Sequence, residues 1–507
     1  MGLQMSVLIA LVSTGISMLL LAAMAQGSTA KLGSVPHRQW PAEGGAASVA
    51  KDRMPVVLKG SPVTQWAALS RWSPEHISAH GPDVLRLVWH SAGPCLVYAS
   101  ESGDLGGGRR MAGCDEGGEP ALAPEPRAMR PAELFAAAAR GLEPGVLYWQ
   151  DELARLGPQL AAEVEAAPLG LGEVEGGEVA QLAWIGTRGA TTQAHYDMEH
   201  NFFAQLYGTK RFVLWPPRSH TALQLHPTRH SRHRQSQLGD LPDGPATPST
   251  FATPANSATT ATPATPATPT TALAAAAAAA GALRVELSPG QLLYVPPFWL
   301  HHVTASSAVS VSVSVWSASV EGARRDRLET LPLPWELSWP AEKRLLAATQ
   351  FVRQVWRELH GGDSGAAAAA LRAHAESRFE PLRLRPLAAQ EGLLAPERQH
   401  SASHGSAAWR RGLPPEVGAC ADAAAATAAT RAEVHEHVAR GVGALADALR
   451  NVSADAGVRE ITAANYLELL GAFVVGAEHT HAFVRDCCLG GWAPAQGGTG
   501  GSGWLEP

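Results

Sequence analysis

A strictly alternating stretch near residue 310 constrains the fold more than any other feature. Between residues 309 and 315, valine occupies every odd position and serine every even position. Because successive side chains of a β-strand point to opposite faces, such a strand has one apolar face and one face of hydroxyls. Two structures fit: an edge strand whose serines face water, and a barrel strand whose serines line a polar pocket.

Other short strand patterns precede and follow this stretch. The segments 146–149 and 292–295 are apolar, and the segment that begins at Leu283 is a strand pattern that runs into the turn Ser288-Pro289-Gly290. Residues 201–207 and 211–215 flank Gly208-Thr209-Lys210 and predict an antiparallel hairpin. Many short strands with few helices between them predict a mainly β domain, a barrel or a sandwich, over residues 53–335.

The pattern becomes helical after Trp335. Apolar residues at helical spacing predict helices over 340–359, 431–450 and 461–487. We expect a helical C-terminal region over 336–488, with a loose Ala/Gly/Pro-rich segment at 361–427. A flexible tail is expected over 489–507.

The N-terminus begins with an uncharged apolar run from Ser6 to Ala25 that ends in small residues. A cleaved signal peptide over 1–25 and an uncleaved membrane anchor both fit this run. Either one predicts entry into the secretory pathway, to the ER or Golgi lumen or the outside of the cell. An organelle or the cytoplasm is the alternative if the run is not a signal. Residues 26–52 are expected to be a flexible spacer.

Composition excludes several classes of protein. The 507-residue chain has 40 Lys and Arg against 46 Asp and Glu, a net charge of −6, so no basic surface for nucleic acid is indicated. Five cysteines exclude a disulfide scaffold. Residues 244–282 consist almost wholly of Ala, Thr and Pro, which bury too little apolar surface to offset the entropy of ordering. We expect this insert in the β domain to be disordered.

The tripeptide His195-Tyr196-Asp197 is the strongest chemical signal. Residues i and i+2 of a strand share a face, so one imidazole and one carboxylate can reach a common ion. A third ligand is available at His301, with His302 as its competitor. Two histidines and one carboxylate on one side of a metal leave positions open, which is typical of non-haem Fe(II) oxygenases.

The residues around this tripeptide resemble the JmjC (cupin-type) family of 2-oxoglutarate-dependent oxygenases, and within it the factor-inhibiting-HIF asparaginyl hydroxylase branch. The matching segments run in the family's order, from Met54 to Arg357 apart from the insert. They are residues 147–150, 185–186, 194–197, 201–205, 208–211, 216–217, 234–237, 289–291, 293–296 and 299–302.

The resemblance implies a role for each matching residue. His195, Asp197 and His301 match the iron ligands; His301 is preferred over His302 because the family's ligand follows the aromatic pair directly. Lys210 matches the lysine that pairs with the distal carboxylate of 2-oxoglutarate. The residues that match further polar contacts to this co-substrate are Thr192, Tyr148 and Asn201.

Other matching positions face the substrate in that branch. Gln150, Arg234 and Gln235 match residues that hold a peptide, and Trp316 matches a tryptophan that packs beside the iron. Two residues depart from the branch: Glu199 stands in place of an amide, and Ser314 in place of a larger amide. These departures put the peptide preference in doubt rather than the iron site.

The resemblance therefore implies a double-stranded β-helix (jelly-roll) core with flanking helices and an α-helical C-terminal extension. It implies an Fe(II)-, 2-oxoglutarate- and O₂-dependent enzyme that hydroxylates a side chain of a protein or peptide and releases succinate and CO₂. The alternatives are an N-methyl-lysine or N-methyl-arginine demethylase and a non-catalytic cupin-like binding protein. It also implies a homodimer formed through the C-terminal helices.

Overall fold

The fold is described from a computed structural model, which covers residues 32–91, 95–100, 109–112, 125–141, 145–175, 177–238, 280–383 and 428–490. The predicted leader over 1–25 lies outside these residues, as do most of the insert, residues 384–427 and most of the tail. Within the described ranges, no helix combines the length and the apolar character needed to cross a bilayer.

The strands form two sheets. In chain order they are β1 Gly33–Ser34, β2 His37–Gln39, β3 Val56–Lys59, β4 Arg86–Ser91, β5 Cys95–Ser100, β6 Arg109–Ala112, β7 Glu125–Met129, β8 Val146–Glu152, β9 Glu178–Thr187, β10 Thr191–His195, β11 His200–Tyr207, β12 Lys210–Trp215, β13 Leu283–Leu287, β14 Leu292–Val295, β15 Leu300–Ala305 and β16 Val309–Ser317.

The helices cover the outer faces of these sheets. The α-helices are Gly45–Ala50, Ala67–Arg71, Pro74–His80, Pro131–Ala139, Pro158–Ala162, Val320–Leu328, Ala341–Leu359, Ser364–Arg383, Ala428–Val452, Ala456–Val475 and Thr480–Ala482, and Phe483–Cys488 is a π-helix. Short 3₁₀ turns are Pro62–Gln65, Leu153–Leu156, Ala167–Leu169, Leu171–Glu173, Pro217–Ser219 and Ala477–His479.

The sheet order is that of a double-stranded β-helix, as predicted. The seven-stranded sheet has the order β1-β13-β12-β15-β10-β5-β6, and the nine-stranded sheet β2-β3-β14-β11-β16-β9-β8-β4-β7. From β9 to β12 the chain changes sheet at each strand, so the two sheets are wound together. The mainly β core with a helical C-terminal extension is confirmed.

The predicted hairpin between β11 and β12 is wrong. β11 pairs with β14 and β16, whereas β12 pairs with β13 and β15 in the other sheet. The apolar pattern of each strand was read correctly, but a pattern does not specify which strand becomes its partner. Crossing between the sheets brings the inward rings of Phe203 and Phe212 edge to face, with centroids 4.9 Å apart.

Gly208 lies in the connection through which the chain passes from β11 in one sheet to β12 in the other. Its φ is +63°, and a Cβ atom there would overlap Ser307 Oγ and the carbonyl oxygen of Val309. We expect Gly208→Ala to lower the free energy of unfolding by about 3 kcal/mol, through left-handed strain plus this overlap. Gly141→Ala is the matched control, because Gly141 has a φ of +67° with nothing within 4 Å of its Cβ position, and it should cost about 1 kcal/mol. Equal losses in urea unfolding would contradict the role of the overlap.

The alternating strand β16 lies in the middle of its sheet, between β11 and β9, so the edge-strand alternative is wrong. Its valines pack against the N-terminal helices in one apolar cluster. Its serines face the space between the sheets, where Ser310, Ser312 and Ser314 are fully buried. The pocket-lining alternative is correct for Ser314, which lines the cavity described below.

Three further expectations need correction. The spacer predicted over 26–52 contains β1, β2 and helix Gly45–Ala50, because Ala46 and Val49 are apolar enough to be fully buried. The loose segment predicted over 361–427 contains helix Ser364–Arg383, whose run of alanines has the highest helix propensity. The helix predicted over 461–487 ends at Val475, because Gly476 adopts a φ of 90°.

Candidate metal centre

Two neighbouring strands bring the predicted ligands together. His195 ends β10 and pairs with His301, the second residue of β15, after a shift of register between Thr192 and His195. Tyr196 points outward into the core beneath the C-terminal helices. Side chains alternate along an extended chain, so Asp197 returns to the inner face that carries His195.

The three side chains form a compact group. His301 Nε2 lies 3.6 Å from Asp197 Oδ2, and His195 Nε2 lies 4.0 Å from the same oxygen. The two imidazole centroids are 4.2 Å apart. Three donor atoms, one from each residue, all lie within 4.8 Å of one another, which suits a single ion between them, and no other such group of three or more ligands occurs among the described residues.

Backbone carbonyls orient both imidazoles. His195 Nδ1 lies 2.7 Å from the oxygen of Gln193, and His301 Nδ1 lies 3.0 Å from the oxygen of Trp299. A carbonyl only accepts, so each Nδ1 carries the hydrogen and each Nε2 keeps its lone pair for a metal. Burial and the nearby His301 lower the pKa of His195 to about 3, which keeps this imidazole neutral.

His302 belongs to the other face of β15. It pairs with Val213 across the sheet, and it is not part of the three-residue group. Because neighbouring residues of a strand face opposite ways, only one of the two adjacent histidines can reach Asp197. The geometry selects His301, as the sequence analysis preferred.

Lys210 is a buried cation facing the same interior. It begins β12 and is 3% exposed, and its Nζ lies 5.3 Å from the centroid of the Phe203 ring. Among the described residues no carboxylate pairs with it. Burial alone lowers the pKa of Lys210 to about 7, because the charged form loses its hydration without gaining a counter-ion. An anion entering this space would supply that counter-ion.

One cavity joins the metal ligands to Lys210. It encloses about 900 Å³ including its open mouth. Aromatic and polar side chains form its wall. The lining residues are Tyr148, Trp184, Ala190, Thr192, His195, Tyr196, Asp197, Asn201, Phe203, Lys210, Phe212, Ser231, His233, Arg234, Gln235, His301, Val303, Ser314 and Trp316.

The residues predicted to contact 2-oxoglutarate all line this cavity: Thr192, Tyr148 and Asn201 join Lys210 there. Asn201 is 5% exposed, and its Oδ1 has no hydrogen-bond partner in the part of the chain that the structure describes. The buried ammonium of Lys210 favours an anionic guest, whereas the amide oxygen of Asn201 only accepts and needs a hydrogen-bond donor on that guest or on a water molecule. Two imidazoles and one carboxylate likewise suit a divalent first-row metal, so the side chains fit both groups.

Three of the four predicted substrate contacts line the cavity: Arg234, Gln235 and Trp316. Gln235 also forms an isolated antiparallel β-bridge with His195. Arg234 has a left-handed φ of 69°, an uncommon conformation for a residue with a side chain. Gln150 does not line the cavity; it lies on β8 two residues beyond Tyr148, opposite Trp184.

The two departures from the family pattern have different surroundings. Burial and the neighbouring Asp197 raise the pKa of Glu199, although Arg234 opposes this shift. Ser314 accepts a hydrogen bond of 2.9 Å from Trp184 Nε1. The short serine side chain therefore leaves room for an indole within the wall.

Several lining residues were missed by the sequence analysis. Trp184, Phe203 and Phe212 form much of the apolar wall, and Ser231 and His233 lie in the loop before Arg234. Strand alternation could have found Phe212, because it shares the face of Lys210 two residues away. The loop residues carry no comparable periodic signal.

Comparison with known proteins agrees with this fold. Residues 113–320, which include all three members of the His-Asp-His group, match the family described as the Cupin-like domain. These residues are therefore similar to that family, in agreement with the cupin-like fold of the mainly β core.

The relatives cover only parts of the chain. Jumonji C domain-containing protein 5 of Drosophila melanogaster is 29% identical over 140 residues, which are 28% of this chain and 28% of that protein. Part of this chain is thus similar to part of a JmjC-domain protein. The X-ray structure of E. coli ycfD aligns over 54% of each chain with 13% identity and a TM-score of 0.23, values too low to support a conclusion.

Proposed function

We propose that the chain is an Fe(II)- and 2-oxoglutarate-dependent dioxygenase that hydroxylates a protein side chain. The observation that carries the proposal is the cavity shared by the His195-Asp197-His301 group and Lys210, which pairs with no carboxylate of the described residues. Three protein ligands leave metal positions open for a chelating co-substrate and O₂. A lone buried ammonium supplies the counter-charge for the far carboxylate of a dicarboxylic acid.

The protein's own residues bind and orient. His195, Asp197 and His301 would hold the metal, with both imidazoles locked by backbone carbonyls. When bound, iron supplies the oxidative chemistry, in which O₂ and 2-oxoglutarate give succinate, CO₂ and one oxygen atom inserted into a substrate C–H bond.

Lys210 would anchor the distal carboxylate of 2-oxoglutarate, and Thr192, Tyr148 and Asn201 would supply neutral hydrogen bonds around it. The aromatic wall of Trp184, Phe203 and Phe212 would exclude water, which strengthens each of these polar contacts.

The substrate side is proposed with the same site. Arg234, Gln235 and Trp316 lie where a peptide entering the cavity would meet them, whereas Gln150 would be reached only by a substrate that extends along β8. The homodimer through the C-terminal helices and the secretory location remain predictions.

Product analysis tests the function. The full chain, loaded with Fe(II), is incubated with 2-oxoglutarate, O₂ and a peptide mixture, and succinate and peptide masses are measured. We expect succinate only from the wild type and not from Asp197→Ala, together with peptides heavier by one oxygen atom. Loss of a methylene unit would instead support the demethylase. Succinate formation at the wild-type rate by Asp197→Ala, or none by the metal-loaded wild type, would reject the dioxygenase.

A further inference from the structure

The C-terminal helix Ala456–Val475 contacts the peptide segment that carries the proposed ligands. Asn465 Nδ2 donates a hydrogen bond of 3.0 Å to the hydroxyl of Tyr196. Tyr196 stands between His195 and Asp197 and is 2% exposed. A side chain 269 residues away along the chain therefore holds the residue that separates two ligands.

The Tyr196 ring is held on a second side. It stacks on Phe298 with centroids 5.3 Å apart and an interplanar angle of 16°. The backbone N–H of Phe298 donates to the carbonyl of Asp197 at 2.7 Å, and Phe298 has a left-handed φ of 63°. The hydroxyl bond and the stacked ring together fix how the backbone turns between His195 and Asp197.

Asn465 also ties this turn to the loop that lines the cavity mouth. Its Oδ1 accepts hydrogen bonds from Arg378 Nη1 at 2.9 Å and from Thr228 Oγ1 at 3.1 Å. Gln237, at the other end of the loop, donates to the carbonyl of Arg378 at 2.8 Å. Arg234 and Gln235 lie between these two attachment points.

A buried ion pair supports the amide. Glu468, which is 1% exposed, accepts hydrogen bonds from Arg378 at 3.2 Å and from the backbone N–H of Thr228. His374 Nε2 lies 3.3 Å from the same carboxylate, and burial lowers the pKa of this histidine well below its usual value. Removal of either charge would leave the other buried and unpaired, so the neutral Asn465 is the better residue to vary.

We infer that Asn465 is a positioning residue of the metal site, acting through the hydroxyl of Tyr196 on the spacing of His195 and Asp197. The inference rests on the proposed function, since it assumes that these residues bind a metal. It assigns the C-terminal helical region a part in the site's scaffold. Groups behind metal ligands alter affinity because they fix ligand direction.

Titration of Mn(II) into the full chain by calorimetry tests this inference. We expect Tyr196→Phe and Asn465→Ala each to weaken Mn(II) binding about threefold to tenfold. The double variant should bind no more weakly than the weaker-binding single variant, because both changes remove the same bond. The absorption spectrum of Co(II) bound to each single variant should also differ from that of Co(II) bound to the wild type. A loss of fold stability alone would not change this spectrum.

Glu460→Gln is the matched control. Glu460 lies on the same helix but bonds to His220, at 3.3 Å, instead of Tyr196. It should leave the Mn(II) affinity unchanged even if it lowers the melting temperature. If Asn465→Ala fails to fold, Tyr196→Phe decides, because it keeps the stacked ring.

If a folded Tyr196→Phe variant keeps the wild-type Mn(II) affinity and the wild-type Co(II) spectrum, the inference about Asn465 is wrong, while the proposed function is unaffected. Multiplying effects in the double variant would overturn the inference too. Absence of Mn(II) binding by the wild type would instead overturn the proposed function itself.

Discussion

Asp197→Ala is expected to bind Mn(II) at least about 100-fold more weakly than the wild type. The change removes the one carboxylate of the group and leaves two imidazoles, which hold a hard divalent ion poorly. The cavity wall and the hydrogen bonds at both Nδ1 atoms should persist, so folding should be preserved. Calorimetric titration of the apo-protein, together with circular dichroism, measures both.

His302→Gln provides the control for this variant. His302 is as buried as His301 and adjacent to it, but it lies on the other face of β15. If Asp197→Ala weakens Mn(II) binding because it removes a ligand, His302→Gln should keep the wild-type affinity. If any change in a buried residue of this site disturbs the strands and weakens binding, His302→Gln should weaken it as well. Mn(II) affinity that falls equally in both variants, or in neither, would contradict the assignment of ligands.

Lys210→Met is expected to lower the affinity of the Mn(II)-loaded protein for 2-oxoglutarate by at least about 100-fold. Methionine fills a similar volume without charge, so the distal carboxylate would be buried without a counter-ion, at a cost of several kcal/mol. Arg211→Gln is the control, because Arg211 is next on β12 and does not line the cavity. Retained binding in Lys210→Met would show that the acid is anchored elsewhere.

The same lysine makes both binding and stability depend on pH. Burial lowers its pKa to about 7, so the free protein at pH 8 holds this amine mostly neutral, and binding of an anion should draw in a proton. We expect proton uptake at pH 8 and almost none at pH 6, measured by calorimetry in buffers of different ionisation enthalpy. Lys210→Met should show no uptake that depends on this residue.

Lys210 should also make the folded protein more stable as pH rises, because its pKa is lower in the folded state than in the unfolded state. Between pH 7 and about 10 the unfolded chain keeps a proton on Lys210 that the folded chain has released. The contribution of Lys210 to the free energy of unfolding should therefore increase as pH rises through this range, by a few kcal/mol in total. Lys210→Met should lack this increase. Without ligand and below pH 7, the variant should be the more stable protein.

Short-range patterns in the sequence predicted the inward-facing residues. The two-residue period predicted that His195 and Asp197 share a face, and it gave β16 one apolar and one hydroxyl face. Both results depend only on the direction of neighbouring side chains along a strand. The preference for His301 over His302 came from the family resemblance. The jelly-roll topology was predicted from the family resemblance, which rests on the order of the motifs along the chain.

Long-range partners could not be predicted in this way. Strand patterning did not reveal that β11 and β12 enter different sheets, because an apolar alternating strand satisfies its pattern beside many neighbours. The bond from Asn465 to Tyr196 joins two residues with no shared local pattern. Helix 364–383 was missed because its alanines were grouped with the Gly- and Pro-rich segment that follows.

Titration of 2-oxoglutarate into the full chain with and without Mn(II) shows whether the metal ligands and Lys210 bind one acid together. We expect a single molecule to bind per chain when Mn(II) is present, and we expect the affinity to fall steeply when the metal is removed, because chelation by the metal and the Lys210 contact act on opposite ends of one acid. Absence of binding to the Mn(II)-loaded protein, or equal affinity with and without metal, would contradict this expectation.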